Sequence, residues 1–269
     1  MAARNKGFRV PSEILTLIGL LVLWQAVVSI FHVRDYLVPG VNVVVDEIVN
    51  HPQFYFAETI YTLSNTLAAF AIAVIFGVGL AAAIVYSRFL DKTLYAVLIA
   101  LNNVPKVALA PLFVIWLGTG SASKIAMGVM ISIFAIVIDA VLGLRSLTPD
   151  MIDLGRSMRG SGFKMLFKLR LPNALPSIIA GMKVAMSLSL VGSIVGEFVA
   201  AQNGLGFVIL SAQGVFDTNR VFAAILLLAL TGTALFYAME YLERLLIPWH
   251  ESQRNRSATP VVVMPSPSA

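Results

Sequence analysis

Residues 142–176, LGLRSLTPDMIDLGRSMRGSGFKMLFKLRLPNALP, hold the densest positive charge in an otherwise apolar chain. Six basic residues lie there: Arg145, Arg156, Arg159, Lys164, Lys168 and Arg170. On insertion scales each costs about 2.5–3.5 kcal/mol at the centre of a bilayer, and six cost about 15–20 kcal/mol. The stretch therefore stays in water or against protein, between two membrane spans. Its own pattern is helical. Met151, Leu154 and Met158 recur at three- and four-residue spacing, and Asp150 after Pro149 is placed to cap a short helix over residues 150–157. Gly160-Ser161-Gly162 then breaks the chain. A second amphipathic stretch sets Phe163, Leu166 and Phe167 on one face and Lys164 and Lys168 on another, and Pro172 and Pro176 end it. An elbow of this outline either docks into a groove on a protein partner or lies on anionic lipid headgroups.

The surrounding composition fixes the class. Of 269 residues, 58% are hydrophobic and only 12% charged, and the mean hydropathy of +0.87 lies well outside the range of soluble domains. There is no cysteine, which excludes disulfide, thiol and cysteine–zinc chemistry. The net charge of +5 would suggest nucleic acid in a soluble protein, but here its distribution points to a membrane and to no nucleic acid. Crossing about 30 Å of hydrocarbon takes about 20 residues, and six runs approach or exceed that length: 14–31, 60–86, 94–117, 125–144, 178–200 and 221–247. The chain reads as an all-α polytopic membrane helix bundle with six transmembrane helices. The third run is interrupted by Asn102, Asn103, Pro105, Lys106 and Pro111, a break tolerated where it is buried in protein or faces water. The first run follows Arg4, Lys6 and Arg9; its length and the lack of a small-x-small cleavage site make it an uncleaved anchor.

Lysine and arginine counts orient the bundle. With the N-terminus inside, fourteen of the nineteen fall on cytoplasmic segments, and only Arg34, Lys124 and Arg220 fall outside. Both termini and the elbow are then cytoplasmic in a multi-pass membrane protein. The expected organisation is a cytoplasmic segment 1–13, a first helix 14–31, an extracytoplasmic connection 32–56, a core 57–247 containing the loop 145–176, and a disordered tail 248–269. Residues 201–219 read as an outer loop turned by Gly204-Leu205-Gly206.

The elbow resembles the cytoplasmic loop of binding-protein-dependent ABC importer permeases, whose signature runs Glu-Ala-Ala, three residues, Gly, nine residues, Ile-x-Leu-Pro. Aligned on Leu171-Pro172, Asp153 takes the Glu position, Leu154 and Gly155 the two Ala positions, Arg159 the Gly position and Leu169 the Ile position. Gly160, one residue late, supplies the turn that Arg159 lacks. Val104-Pro105-Lys106-Val107-Ala108-Leu109-Ala110-Pro111, Trp116-Leu117-Gly118-Thr119-Gly120, Gly143-Leu144-Arg145-Ser146, Gly196-Glu197-Phe198 and Gly204-Leu205-Gly206 are similar to the nitrate/sulfonate/taurine branch. The resemblance implies a type I ABC importer permease fold, with the core an ABC transmembrane type-1 unit of five helices. It also implies a second permease chain, two cytoplasmic ATPases gripping the loop at Asp153, Leu154, Gly155, Met158, Arg159, Gly160, Leu169, Leu171 and Pro172, and a periplasmic or lipid-anchored binding protein that delivers a small solute.

No Gly-x4-Gly-Lys-Ser/Thr phosphate loop occurs, so no cofactor is expected in this chain and ATP belongs to the partner. Rival classes fare worse. A secondary carrier or channel without an ATPase calls for inverted repeats or several membrane carboxylates, and an intramembrane enzyme needs a catalytic constellation. Ser121-x-x-Lys124 has no companion motif, and His32, His51 and His250 show no metal-ligand spacing, so neither a catalytic nor a metal site is expected. Ionisable residues inside a span are functional candidates by default. Asn102, Asn103 and Lys106 either line the translocation path or satisfy the broken helix. Glu197 is either a gate or an interfacial carboxylate. Asp139 and Lys183 are candidates for a structural ion pair. Gly192-x-x-x-Gly196 permits close helix approach, within the chain or between two copies.

Overall fold

In the computed structural model, which describes residues 12–102, 104–157 and 162–248, every regular element is helical. A first apolar helix, α1 (Ser12–Ile30), is followed by a short helix α2 (Val41–Asn50) and the 35-residue α3 (Pro52–Tyr86). The connection expected over residues 32–56 thus contains α2 and the start of α3. Pro52 at the first turn gives up an N–H that a helix start leaves free in any case. The core helix therefore begins before residue 57.

The expected third span is not one rod. Helix α4 (Arg88–Asn102) ends before Pro105, a 3₁₀ turn covers Lys106–Leu109, and α5 (Ala110–Leu117) starts with Pro111 in its first turn. Pro105 supplies no donor and stands just past the end of α4, whereas Pro111 falls in the first turn of α5, where a helix start leaves the N–H free in any case. Helix α6 (Ser121–Arg145) then runs to the elbow, which comprises α7 (Pro149–Ser157), α8 (Gly162–Met165) and a π turn at Leu166–Arg170. Helix α9 (Leu171–Ala200), the ten-residue α10 (Leu205–Gly214) and α11 (Thr218–Leu246) complete the chain. The outer loop expected over residues 201–219 is thus largely helix.

Two expectations about the elbow are corrected here. The Thr148 Oγ1 and carbonyl accept from Met151 N at 3.4 Å and Ile152 N at 3.2 Å, so Thr148 caps α7 and Asp150 lies inside its first turn. Pro172 and Pro176 do not end the second stretch, because helix continues from Gly162 through both prolines to Ala200. The π turn widens the backbone where the Pro172 ring would otherwise meet the preceding turn, and it puts the Leu171 N–H on the Leu166 carbonyl.

Among the described residues four helices, at α3, α6, Leu166–Ala200 and α11, are long and apolar enough to cross a membrane; Gly19–Ile30, Lys106–Leu117 and Leu205–Gly214 are shorter apolar stretches. The centre of the bundle is the packing of α6 between α3 and α9, and small residues bring these helices close. A β-carbon at Gly192 would lie 2.6 Å from the Gly128 Cα, and one at Gly196 would lie 2.9 Å from the Lys124 Cα. The Gly192/Gly196 pair therefore serves contact within the chain. At the elbow end, Ala81, Ile84, Val137, Val141, Leu144, Leu166 and Ile178 form one buried cluster. At the far end, Val44, Tyr55, Leu205, Val208, Ala223 and Ala224 join α2, α3, α10 and α11.

Candidate functional site

The elbow is fastened to the bases of α6 and α9 by polar contacts. Arg170 Nη1 donates to the Leu144 carbonyl at 3.2 Å, Asn173 Nδ2 donates to Ser146 Oγ at 2.8 Å, and Ser146 Oγ donates to the Gly143 carbonyl at 2.7 Å. Arg145 bridges to Asp91 on α4. Leu166 is buried in the core below, while Phe167 is exposed, so the π turn splits a face that periodicity had drawn as continuous. Gly155 is buried, and a β-carbon there would lie 2.7 Å from Leu169 Cδ1 and 3.1 Å from Met165 Cε. A small residue at the second Ala position of the loop pattern suits that contact, with the flexible ends of Leu169 and Met165 the atoms that would give way. The contact also shows that α7 rests on the leg carrying Leu169. Leu171 is half-buried and Pro172 exposed at the start of α9. Exposed around the elbow are Met151, Asp153, Ser157, Lys164, Phe167 and Lys168, an apolar–charged mixture. Met158, Arg159 and Gly160 lie outside the described residues, as do the side chains of Leu154 and Arg156.

A second polar group closes the far end. Glu197 is only 1% exposed. Its carboxylate accepts from Thr62 Oγ1 at 2.9 and 3.1 Å and from Gly206 N at 2.8 Å. Thr62 Oγ1 in turn accepts from Leu205 N at 2.9 Å, and Gly204 N donates to Glu58. The first turn of α10, rich in unpaired N–H groups, thus rests on carboxylates of α3 and α9. Gly204 has φ +105°, and any β-carbon there would collide with the Glu197 carboxyl. The sequence signal that names this site is the Gly-Leu-Gly run; its partners Glu58 and Thr62, one turn apart on α3, passed unremarked. Lys124, counted as an outer-loop charge, is fully buried beside Gly196 and donates to the carbonyls of Thr119 and, at 2.7 Å, Ala200. Sequence order does not reveal such a site, because a buried amine at a helix end is satisfied by carbonyls from distant segments.

The remaining candidates separate. Asn102 ends α4, with its side chain outside the described set, and Asn103 also lies outside it. Lys106 sits in the 3₁₀ turn with its Nζ 4.6 Å from the centre of the Phe134 ring. The Asp139–Lys183 pair does not form: Lys183 bridges to Glu243 of α11, while Asp139 lies against Gly181. Lys183 and Glu243 meet because α11 packs beside α9, a contact that spacing within one helix cannot reveal. Glu197 is enclosed within its own chain, 1% exposed.

The sequence profile of the binding-protein-dependent transport system inner membrane component family matches residues 73–248. The chain belongs to this family. It is 33% identical over 88% of its length to the riboflavin transport system permease protein RibX of Chloroflexus aurantiacus, covering 89% of that protein. It is 31% identical over 83% of its length to a probable ABC transporter permease of Haemophilus influenzae, covering 91% of it. The taurine transport system permease TauC of Escherichia coli is 29% identical over 90% of both chains. Among solved structures, the MetNI methionine ABC transporter in an inward-facing conformation superposes with a TM-score of 0.64, covering 73% of this chain and 98% of that one at 17% identity. At that identity the likeness is one of fold. The protein is a multi-pass membrane permease subunit of an ABC importer for a small solute, and not an enzyme; ATP hydrolysis lies in separate ATPase subunits. Members of the family work with ATPase and binding-protein partners.

Proposed function

We propose that two copies of this permease form the solute path of an importer of the bacterial inner membrane, with both termini and the elbow in the cytoplasm. A cytoplasmic ATPase dimer binds ATP and grips the exposed elbow faces. A periplasmic or lipid-anchored binding protein delivers the solute at the opposite, α10 end. Closure of the ATPases pushes on α7, and the fastened bases of α6 and α9 carry that motion into the membrane, opening the path alternately to each side. Lys106, in the break between α4 and α5, together with Asn102 and Asn103, lines the path. The solute belongs with the sulfonate- and taurine-like or vitamin-precursor-like compounds named for the relatives, and the binding protein carries most of the selectivity.

The observation that carries this reading is the elbow: hydrogen-bonded to two spans below, exposed and mixed apolar–charged above. Its test is Met151→Glu. That variant should insert normally, lose co-purification with the ATPase at least tenfold, and abolish uptake by whole cells. Undiminished co-purification and uptake would overturn the docking role. Orientation is checked in the cysteine-free chain with Lys164→Cys, which should react with an impermeant maleimide only in inside-out vesicles.

A further inference from the structure

The turn between α10 and α11 closes in a way that glycine usually permits. Asp217 N donates to the Ala212 carbonyl at 2.9 Å and Phe216 N to the Gln213 carbonyl at 3.2 Å, the paired bonds of a Schellman motif. The residue at its left-handed position is Phe216, with φ +56° and 90% of its surface exposed. A bulky residue held there carries a conformational cost, and burial within the chain does not repay it.

What surrounds Phe216 is equally apolar and exposed. Thr218 Oγ1 donates to the Tyr36 carbonyl at 2.9 Å, tying this turn to the one after α1 and setting Val215 and Phe216 beside the segment that carries Tyr36 and Leu37. All four side chains are more than half exposed. On the α11 side Arg220 bridges to both Glu47 and Asp217 at 3.2 Å, and on the α1 side the exposed Arg34 reaches the Tyr36 hydroxyl beside the exposed Asp35.

Two rulers place the patch by depth. Along α11, Arg220 and Glu240 lie twenty residues apart, about 30 Å at 1.5 Å per residue, which is the thickness of the hydrocarbon layer. Phe216 then lies about one helical turn beyond its edge. Along α1, Trp24 is level with Phe222, their rings 5.6 Å apart. Phe31, the end of the apolar run, and Phe216 lie seven and six residues further out from that level. Both rulers put Phe216 in the interfacial layer, where tyrosines such as Tyr36 concentrate and where the Phe and Leu side chains of surface-lying segments insert. The patch also continues the exposed face of α1 formed by Leu23, Val27 and Ile30.

We infer that Phe216, with Val215, Tyr36 and Leu37, is a lipid anchor that seats the α10–α11 corner in the headgroup layer of the outer leaflet. The cost of the left-handed Phe216 is offset by insertion of its ring among lipids.

The chain lacks cysteine, so single nitroxide labels at Phe216→Cys and, with Phe216 retained, Val215→Cys report depth directly. In the assembled transporter in nanodiscs of phosphatidylethanolamine and phosphatidylglycerol, both labels should favour collision with oxygen over a water-soluble nickel chelate. The ratio should stay unchanged when binding protein is added. Full access to the chelate, or protection that appears only with binding protein, would overturn the anchor; the latter would make the patch a protein-docking surface. Phe216→Gly provides a second reading. It should raise the melting temperature in detergent by relieving the turn, and increase the mobility of the Val215→Cys label in nanodiscs; unchanged mobility would count against anchoring. Depth at this corner is independent of whether the elbow binds an ATPase, so the two proposals fail separately.

Discussion

Glu197 shows how much one side chain decides in this bundle. Its carboxylate collects the Thr62 hydroxyl and the Gly206 N–H in a place closed to water. Replacement by alanine strands both donors, and breaking a buried charged cluster from one side costs about 3–5 kcal/mol. Glu197→Ala should therefore lower the melting temperature of the purified permease strongly, whereas Glu197→Gln, which keeps an acceptor, should lower it less. Equal melting temperatures for the two variants and the parent would exclude the structural role. The residue was recognisable in the sequence as an acid inside a span. That its carboxylate meets Thr62 and the first turn of α10 was not, because Thr62 and Gly206 stand 135 residues before it and nine after. Gly155 was legible in a different sense: the loop pattern asks for a small residue there, and the Leu169 and Met165 side chains pack against that position.

At the scale of elements, the ends of helices were harder to read than their middles. Apolar runs marked α3, α6, α9 and α11 because burial and lipid exposure both demand nonpolar side chains along the whole rod. The boundaries at Pro52, Pro105 and Pro172 turned on local hydrogen bonding: one proline opened a helix, another broke one, and the third was carried through on a π turn. The packing of α11 on α9 makes its own prediction. Lys183 and Glu243 bridge the two helices and are only a quarter or less exposed, so losing one partner should cost about 2 kcal/mol, between the values for exposed and buried pairs. Lys183→Glu or Glu243→Lys alone should lower the melting temperature, and the exchanged double variant should recover most of the loss. Asp139→Asn should leave this bridge untouched. No recovery in the exchange would show that the two charges act separately.

For the whole molecule, the central consequence is that the permease does no chemistry on ATP. Purified alone it should show no magnesium-dependent ATP turnover above a lipid blank, and turnover should appear only when the partner ATPase is added; activity that persists through further purification would contradict the division of labour. What the sequence by itself determined was the class and the frame: an all-helical membrane bundle, a charged elbow too costly to bury, and a family pattern spread over Val104–Pro111, Gly143–Ser146 and Leu169–Pro172. Those follow from composition and local order, since hydrocarbon tolerates only self-satisfied backbone and few charges. Only the tertiary structure decided where each buried charge found its counterpart. Lys124 met the Ala200 carbonyl, Lys183 met Glu243, and Glu197 met Thr62 and Gly206. The reason is physical: in a low-dielectric interior a polar group is governed by its few nearest neighbours, and those neighbours come from helices far away along the chain.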